Sequence, residues 1–386
     1  MKSKYKYTLL LLMALVACAV LSRCSKNNEM GTPSISYIRI TDPTKSDSLL
    51  STAGQGQMIA IMGQNLGSVT QAWFNDQKAQ LIPTFITNTT IITKVPSQLP
   101  AVITDKMKLV FANGSSLDYD FSVDIGKPSI DHVRTEYANE GDSVFIYGSF
   151  FYEPLTVSFT GGVQGTLFSV GSDNKSIVVK VPAGAQPGPI TIATTFGSVT
   201  SHFWFNDNRN IIASFDAQIS NWVWHTDKIV ASDAGIVNIN NGFLRVNKGK
   251  VTNAYLEVYE GSLETGADIP KETKNIPQEA FLDPNNYSLK FEINTLAPLA
   301  GANMRLYLGL ANNVNLGPAR DNIFYLWKPN VDTHGEWETI TIPWSDVYSA
   351  NQLFAYNSDG YAMAVIFVNT ATYNLAIDNM RVVPNK

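Results

Sequence analysis

No cysteine occurs after residue 24 of this 386-residue chain. Its two cysteines, Cys18 and Cys24, both lie near the N-terminus, so a disulfide framework is excluded from the remaining sequence. The same absence removes the thiol that a cysteine hydrolase needs as its nucleophile. Any chemistry in the body of the chain must therefore rest on other side chains.

Basic residues are few relative to acidic ones. The chain has 28 Lys and Arg against 33 Asp and Glu, which gives a formal net charge of −5. Without a basic surface, binding to the phosphates of nucleic acid is not expected. With 45% hydrophobic and 16% charged residues, the composition favours globular structure, and the length favours several domains.

Signatures of the common catalytic sites are also missing. No metal-ligand spacing connects the four histidines, His132, His202, His225 and His334. No phosphate-binding loop, nucleophile elbow or dinucleotide fingerprint occurs either, so we expect neither a metal nor a cofactor. A glycoside hydrolase needs only two carboxylates, and that class stays open because four glutamates lie on predicted strands: Glu257, Glu292, Glu336 and Glu338.

The first 24 residues have the features of a bacterial export signal. Three lysines precede the apolar run 8–17, which is too short for a bilayer-spanning helix. The residues before Cys18 resemble a lipobox, whereas Cys24 follows Arg23 but precedes a polar stretch similar to the export tether of Bacteroidetes surface lipoproteins. We predict a signal over residues 1–24, a tether over 25–32, and a lipid on either Cys18 or Cys24.

Three sequence blocks recur in the same order. Residues 33–39 return as 128–134, 56–63 as 140–148, and 88–96 as 174–182. Each unit carries short β-branched strands between Gly, Pro, Asn and Asp turns, a pattern typical of a small β-sandwich. The units resemble tandem IPT/TIG immunoglobulin-like domains, which implies independent spacer domains over residues 33–126 and 127–207.

Longer and more aromatic strands follow residue 208. We predict about nine strands, no amphipathic helix, and a surface loop over residues 260–284. This pattern favours one larger jelly-roll-like β-sandwich over residues 208–386. Asp216 and Asp378, in its first and last predicted strands, stay open as ligands of a structural calcium, although turn and surface roles are favoured. The fold class predicted for the whole chain is therefore all-β.

Five of the seven tryptophans lie in this C-terminal part. A flat indole ring can stack on the apolar face of a sugar while polar neighbours fix its orientation. Trp337 and Trp344 are predicted to pack in the core. Trp222 and Trp224 fall in the turn-like segment 220–227, where they are candidates for glycan binding.

Strand alternation selects further candidates. If Phe324 and Leu326 face the core, Tyr325 and Trp327 point outward. In the strand from Asn303, the apolar set Met304, Leu306 and Leu308 leaves Arg305 and Tyr307 on the opposite face. In the strand from Asn253, the same rule leaves Tyr255, Glu257 and Tyr259 opposite the core. The predicted glycan-binding residues are Trp222, Trp224, Arg305, Tyr307, Tyr325 and Trp327.

Several short motifs carry a wider resemblance. They are 208–216 (NRNIIASFD), 325–329 (YLWKP), 335–337 (GEW), 341–343 (TIP) and 377–380 (IDNM). Together with the lipidation signal and the repeated domains, they resemble surface glycan-binding proteins of Bacteroidetes polysaccharide utilisation loci, with a C-terminal domain similar to the xyloglucan-binding type.

The resemblance implies a non-catalytic, lipid-anchored protein of the outer membrane that faces the cell exterior. It implies capture of xyloglucan or a related plant-type β-glycan, and partnership with an outer-membrane glycan importer and surface glycanases. Two alternatives stay open: a surface adhesin or structural lipoprotein that binds a protein partner, and, less favoured, a glycoside hydrolase.

Overall fold

The computed structural model describes residues 31–45, 47–216, 222–224, 228–260, 272–309, 323–351 and 355–386. Cys18 and Cys24 lie outside the described residues. The chain divides into one unit that ends at Ile125 and a second that runs from Gly126 to Lys386. None of the helices formed by the described residues is long and apolar enough to cross a bilayer.

The first unit is a sandwich of short strands that pair antiparallel except for β2 and β9, which pair in parallel. Its strands are β1 (Ser34–Ile40), β2 (Thr52–Gly54), β3 (Met58–Gln64), β4 (Val69–Phe74), β5 (Gln77–Ala79), β6 (Thr90–Lys94), β7 (Lys106–Phe111), β8 (Ser116–Asp120) and β9 (Ser122–Asp124). One sheet has the order β1-β3-β6 and the other β5-β4-β7-β8, while β2 pairs with β9. In β7 the side chains of Met107, Leu109 and Phe111 are buried in the core between the sheets, as strand alternation requires.

The second unit begins with a sandwich of the same plan. Its strands are β10 (Ser129–Val133), β11 (Ser143–Ser149), β12 (Leu155–Phe159), β13 (Val163–Gln164), β14 (Thr166–Val170), β15 (Ser176–Lys180), β16 (Thr191–Thr194) and β17 (Gly197–Thr200). The two sheets have the orders β10-β11-β15-β14 and β13-β12-β16-β17. They enclose a separate core that includes Val144, Ile146 and Val157.

The repeated glycines of the two sandwiches have one structural cause. Gly63 and Gly148 are each the second-to-last residue of the strand that pairs with the first strand of their sandwich, beside a bulge in that pairing. A β-carbon on Gly63 would lie 2.0 Å from the Ser34 carbonyl oxygen, and one on Gly148 would lie 1.9 Å from that of Ser129. Only glycine permits so close an approach of the two backbones.

A larger sandwich fills the rest of the second unit. Its strands are β18 (Ile211–Ala213), β19 (Trp222–Trp224), β20 (Ile229–Val230), β21 (Phe243–Glu260), β22 (Tyr287–Thr295), β23 (Leu299–Ala300), β24 (Asn303–Gly309), β25 (Tyr325–Trp327), β26 (Asn330–Val331), β27 (Trp337–Pro343) and β28 (Ala362–Pro384). The short helices α1 (Gln278–Leu282) and α2 (Trp344–Ala350) lie between strands.

Two long strands, β21 and β28, run through both layers of this sandwich. They pair with each other along most of their length, and the register shifts between Val251 and Ala254. Asn253 (φ 49°) and Asn369 (φ 81°) have left-handed backbone conformations at this bend, which asparagine tolerates better than most residues. The first layer contains β18, β20, β22 and β27, and the second contains β19, β24 and β25.

One hydrophobic core lies between the two layers. It joins Phe291 and Ile293 of the first layer to Met304, Leu306 and Phe367 of the second. The predicted all-β fold class, with two immunoglobulin-like sandwiches before a larger jelly-roll-like one, is confirmed.

Four details of the secondary structure were predicted wrongly. Helices α1 and α2 were not expected. Part of the predicted surface loop 260–284 forms α1, and Ile276 before this helix and Ala280 within it are buried. The segments predicted as 243–246 and 253–259 belong to one strand, as do 361–368 and 373–382. Residues 222–224 are a strand paired with β21 and not a turn.

The second immunoglobulin-like sandwich is not an independent spacer. The Glu136 carboxylate accepts hydrogen bonds from Lys290 Nζ at 2.5 Å and Arg381 Nη2 at 2.6 Å, both in the C-terminal sandwich. Two further bonds join Thr339 to this segment, one to the Glu136 amide at 2.7 Å and one to the Arg134 carbonyl at 2.8 Å. The sequence-based expectation of independence is wrong for this domain, because its partner charges lie more than 150 residues away.

Candidate functional site

The second layer of the C-terminal sandwich has an outer face that lies opposite the main core. In β24, Met304, Leu306 and Leu308 point into that core, so Arg305 and Tyr307 lie on the outer face. The facing part of β28 contributes a second buried cluster to this side, formed by Ala364, Ile366 and Val368 with Tyr307. We call this surface the outer face.

Strand register orders the outer face into rows. Ile366 pairs with Glu257 of β21 on one side and with Arg305 of β24 on the other. Val368 pairs with Tyr255 of β21 in the same way. The Tyr255 side chain is 47% exposed, whereas Tyr307 is only 1% exposed. Tyr255 is therefore an accessible ring on this surface, and Tyr307 belongs to its buried floor.

Arg305 is held in place by two aromatic neighbours. Its guanidinium lies 4.6 Å from the centre of the Phe324 ring, and Nη1 donates a hydrogen bond to the Tyr307 hydroxyl at 3.3 Å. The Tyr307 and Phe324 rings are themselves 5.1 Å apart. A guanidinium fixed in this way offers directed N–H donors above an apolar surface, a combination that suits a ligand with both hydroxyl groups and apolar C–H faces.

The predicted orientation of strand β25 is wrong. Tyr325 pairs with Leu306 and Trp327 with Met304, so both rings lie on the core side. The Trp327 ring packs edge-to-face on Phe291 at 5.2 Å, and burial raises the pKa of the Tyr325 hydroxyl. It is Phe324, expected in the core, that lies beside Arg305. A role of Tyr325 and Trp327 in ligand binding stays a prediction.

The tryptophans fall into two groups. Trp337 and Trp344 are buried, as predicted, and Trp337 Nε1 donates a hydrogen bond to the Val237 carbonyl at 2.6 Å. Trp222 and Trp224 lie in β19, which pairs with Glu260 and Tyr259 at one edge of the second layer. Their side chains lie outside the described part of the structure.

Glu292, one of the candidate catalytic carboxylates, belongs to a buried ion cluster. Arg381, at 0% exposure, donates to Glu292 Oε2 at 2.8 Å and to Glu292 Oε1 at 3.0 Å. Burial raises the pKa of Glu292 although Arg381 opposes the shift. Thr339 Oγ1 also donates to this carboxylate, at 3.0 Å. These contacts are structural, and a fully buried glutamate cannot reach a glycosidic bond.

Asp378 is a third acidic group near this cluster. Its pKa is raised well above the ordinary value by burial, with nearby Glu292 and Asp216 adding to the shift. Among the described residues, no three His, Cys, Asp or Glu side chains are grouped so that they could hold a metal ion. The proposed calcium-ligand roles of Asp216 and Asp378 therefore gain no support.

The raised pKa of Asp378 predicts a pH dependence. The native carboxyl keeps its proton to a higher pH than the unfolded one, whose pKa is about 3.8. Its contribution to the free energy of unfolding is therefore full below about pH 3.8 and falls as pH rises above it. We expect Asp378→Asn to remove this loss. The melting temperature of the variant minus that of the unsubstituted protein should therefore increase as the pH rises from 4 to 8. A constant difference across that range, measured by calorimetry, would contradict the assignment.

Comparison with known proteins identifies both kinds of domain. Residues 205–384 match the family described as the surface glycan-binding protein B xyloglucan binding domain. Residues 46–123 match the IPT/TIG domain. The first match covers the whole of the outer face, and the second lies in the first immunoglobulin-like sandwich.

Two individual proteins are similar to the chain over longer stretches. An IPT/TIG domain-containing protein of Bacteroides ovatus is 25% identical over 301 residues, which make up 72% of this chain and 59% of that protein. The chain thus spans less than two thirds of that relative's length. The crystal structure of surface glycan-binding protein PbSGBP-B from Prevotella bryantii matches with a TM-score of 0.65 and 24% identity, over 92% of this chain and 99% of that one, which shows a shared fold.

The resemblance carried by the sequence motifs is therefore confirmed: residues 205–384 match the family model of the surface glycan-binding protein B xyloglucan binding domain, and residues 46–123 match that of the IPT/TIG domain.

Proposed function

We propose that the protein is a non-catalytic cell-surface protein that binds polysaccharide on the outer face of its C-terminal domain. The observation that carries this proposal is that Arg305, fixed against Phe324 and Tyr307, lies on the same face of the sheet as the exposed ring of Tyr255. The name of the family that matches residues 205–384 supports xyloglucan, or a related plant-type β-glycan, as the ligand.

The outer face has the chemistry that an uncharged glycan needs. A sugar ring packs its apolar C–H face on an aromatic ring such as Tyr255, while its hydroxyls need fixed donors and acceptors. Arg305 supplies donors, and the carboxylate of Glu257 lies in the same row of the sheet.

One set of measurements distinguishes glycan binding from the two alternative functions, an adhesin and a glycoside hydrolase. Affinity electrophoresis against xyloglucan, mixed-linkage β-glucan, xylan and mannan is run beside a reducing-sugar assay on the same samples. We expect retardation by xyloglucan or another β-glycan with no release of reducing ends. Release would identify a glycoside hydrolase, and absence of retardation by every polysaccharide would overturn glycan binding in favour of an adhesin.

The exposed ring predicts the effect of a single substitution. Tyr255→Ala should weaken binding to the retained polysaccharide by roughly ten- to a hundredfold, because an exposed aromatic anchor contributes about 1–3 kcal/mol. The melting temperature should stay nearly unchanged, since the side chain is 47% exposed. Phe168→Ala is the matched control, because Phe168 is 81% exposed but lies in the second immunoglobulin-like sandwich.

The same titrations test the other predicted residues. Trp222 and Trp224 are proposed to extend the site from the neighbouring edge strand, so their alanine variants should also weaken binding. Trp327→Ala should lower the melting temperature through lost packing on Phe291. If Trp327→Ala weakens binding at unchanged stability while Tyr255→Ala has no effect, the outer face is not the site.

We propose that a lipid on Cys18 or Cys24 anchors the protein in the outer membrane. There it would pass captured glycan to an outer-membrane importer and work beside surface glycanases. The lipobox-like residues before Cys18 and the polar stretch after Cys24 support the anchor. Metabolic labelling with a fatty acid should mark the protein and one of the two Cys→Ala variants. Label that survives replacement of both cysteines would rule the anchor out.

A further inference from the structure

An asparagine-lined cavity lies at the junction of the second immunoglobulin-like sandwich and the C-terminal sandwich. It has a volume of about 510 Å³, and five of its lining residues are Asn208, Asn210, Asn240, Asn275 and Asn379. We call it the asparagine cavity. None of its lining residues belongs to the outer face.

Two of these amides have polar atoms that are buried without partners. Asn240 Nδ2 donates to Asn379 Oδ1 at 2.8 Å, which leaves Asn240 Oδ1 as an acceptor and Asn379 Nδ2 as a donor with no hydrogen bond. Asn379 is 0% exposed. Exchanging the oxygen and nitrogen of both amides keeps their mutual bond and again leaves one donor and one acceptor. Buried polar groups are normally satisfied, so this pair calls for a group that both donates and accepts.

The chemistry of that group follows from its neighbours. A metal cation would face the positive end of an amide N–H, and an anion would face the buried carboxylate of Asp216, which also lines the cavity. A hydroxyl fits both unpaired atoms because it donates one hydrogen bond and accepts others. The pair therefore favours a neutral group such as water or a ligand hydroxyl over a metal cation or an anion.

The side-chain amides of Asn210 and Asn275 are each held by a hydrogen bond from the amide nitrogen to a backbone carbonyl. Asn210 Nδ2 donates to the Val382 carbonyl at 2.9 Å, and Asn275 Nδ2 donates to the Ile211 carbonyl at 2.7 Å. Their carbonyl oxygens accept no hydrogen bond from the described residues, so they add acceptors on a rigid frame. A ligand with several hydroxyl groups can use these acceptors together with the Asn240–Asn379 pair.

A second cavity of about 370 Å³ adjoins the first. The two share Tyr137, Asn208 and Asn240 as lining residues, and the second is otherwise lined mainly by the second immunoglobulin-like sandwich. Each volume falls within the range of about 300–1,000 Å³ that is usual for small-ligand sites. The combined space suits more than one sugar unit.

We propose that the asparagine cavity is a second carbohydrate-binding site, lined mainly by the C-terminal sandwich, with Tyr137 contributed by the second immunoglobulin-like sandwich. It takes a neutral glycosyl unit through hydroxyl–amide hydrogen bonds and not through an aromatic platform. The proposal goes beyond the outer-face site, and it gives the immunoglobulin-like domain a part in recognition.

The experiment uses the mature chain with ¹⁵N-labelled asparagine and the free sugars glucose, xylose and galactose as probes. We expect at least one sugar to shift the side-chain amide signals of Asn240 and Asn379 in a saturable way. Asn208→Trp should abolish the shifts, because Asn208 is exposed and borders both cavities. Asn285→Trp, at an exposed position outside both linings, is the matched control and should leave the shifts intact.

The outcomes separate this site from the outer face. Tyr255→Ala should leave the asparagine shifts unchanged, and Asn208→Trp should change the affinity of the outer face for xyloglucan less than twofold. If the amide signals of Asn240 and Asn379 do not respond to any of the three sugars, the cavity holds only water and the proposal is overturned. That result would leave polysaccharide binding by the outer face standing, since its own test is the Tyr255 variant.

Discussion

A chain that begins at Asn208 should be much less stable than one that begins at Gly126. The first lacks the second immunoglobulin-like sandwich, and the second keeps the whole unit that ends at Lys386. Removal of Glu136 takes away the carboxylate that pairs with both Lys290 and Arg381. It also removes the Tyr137 ring from a buried cluster that contains Phe243 and Trp337.

The size of the effect follows from the burial of these charges. Loss of one partner from a buried ion cluster costs about 3–5 kcal/mol where the remaining charges stay buried, and less where water reaches them, as it does after this truncation. For a domain of this size about 1 kcal/mol corresponds to roughly 2–4 °C, so the melting temperature should fall by up to about 20 °C. Calorimetry of the two fragments measures the difference. Equal melting temperatures of the C-terminal sandwich in both would restore the view of the second sandwich as a spacer.

That result also bears on how binding experiments are designed. A fragment from Asn208 that binds glycan weakly would not show that the immunoglobulin-like domain touches the ligand, because the fragment exposes the Phe243 and Trp337 surface and loses stability. The fragment from Gly126 is the appropriate reference. Point variants on the outer face and in the asparagine cavity then report on binding without disturbing the junction.

Features set by local periodicity were the ones that the sequence predicted well. The repeated blocks predict two sandwiches of one plan because Gly63 and Gly148 both sit where a neighbouring carbonyl leaves no room for a β-carbon. Alternation in β24 also places Arg305 and Tyr307 opposite the core, since Met304, Leu306 and Leu308 are uniformly apolar. In these elements each face of the strand has a distinct chemistry.

Alternation fails in β25 because both faces of that strand are apolar. The outer face has its own buried cluster of Ala364, Ile366 and Val368, so Phe324 finds an apolar neighbourhood there. Trp327 finds another in the main core, on Phe291. Alternation along a strand shows which side chains share a face. When apolar side chains lie on both faces of the strand, it does not show which face points to the main core. Strand register with β24 decides it.

The junction between the domains was not predictable for a different reason. Glu136 lies 245 residues from Arg381 and 154 from Lys290, and a single carboxylate in a turn carries no local signal of a distant partner. The buried cations likewise occupy ordinary strand positions in β22 and β28. Only the tertiary structure reveals that these charges meet.

Arg381→Met should destabilise the second unit by about 3–5 kcal/mol, since it leaves the buried carboxylates of Glu136 and Glu292 without their shared partner. The methionine has a similar length, so lost volume contributes little compared with the uncompensated charge. Lys106→Met is the control for loss of an exposed ion pair, because Lys106 and its partner Asp120 are 52% and 91% exposed, and such a pair contributes only about 0–1 kcal/mol.

A second variant distinguishes loss of charge compensation from loss of packing as the cause of the destabilisation. If uncompensated carboxylates destabilise Arg381→Met, then adding Glu292→Gln should recover more than half of the lost free energy of unfolding, because the cluster then again contains one carboxylate, Glu136, and one cation, Lys290. Denaturant unfolding of the single and double variants measures the recovery. A double variant no more stable than Arg381→Met would show that the arginine contributes through packing on the Tyr137 ring, which lies 5.0 Å from its guanidinium, and that the ion cluster adds nothing to the junction.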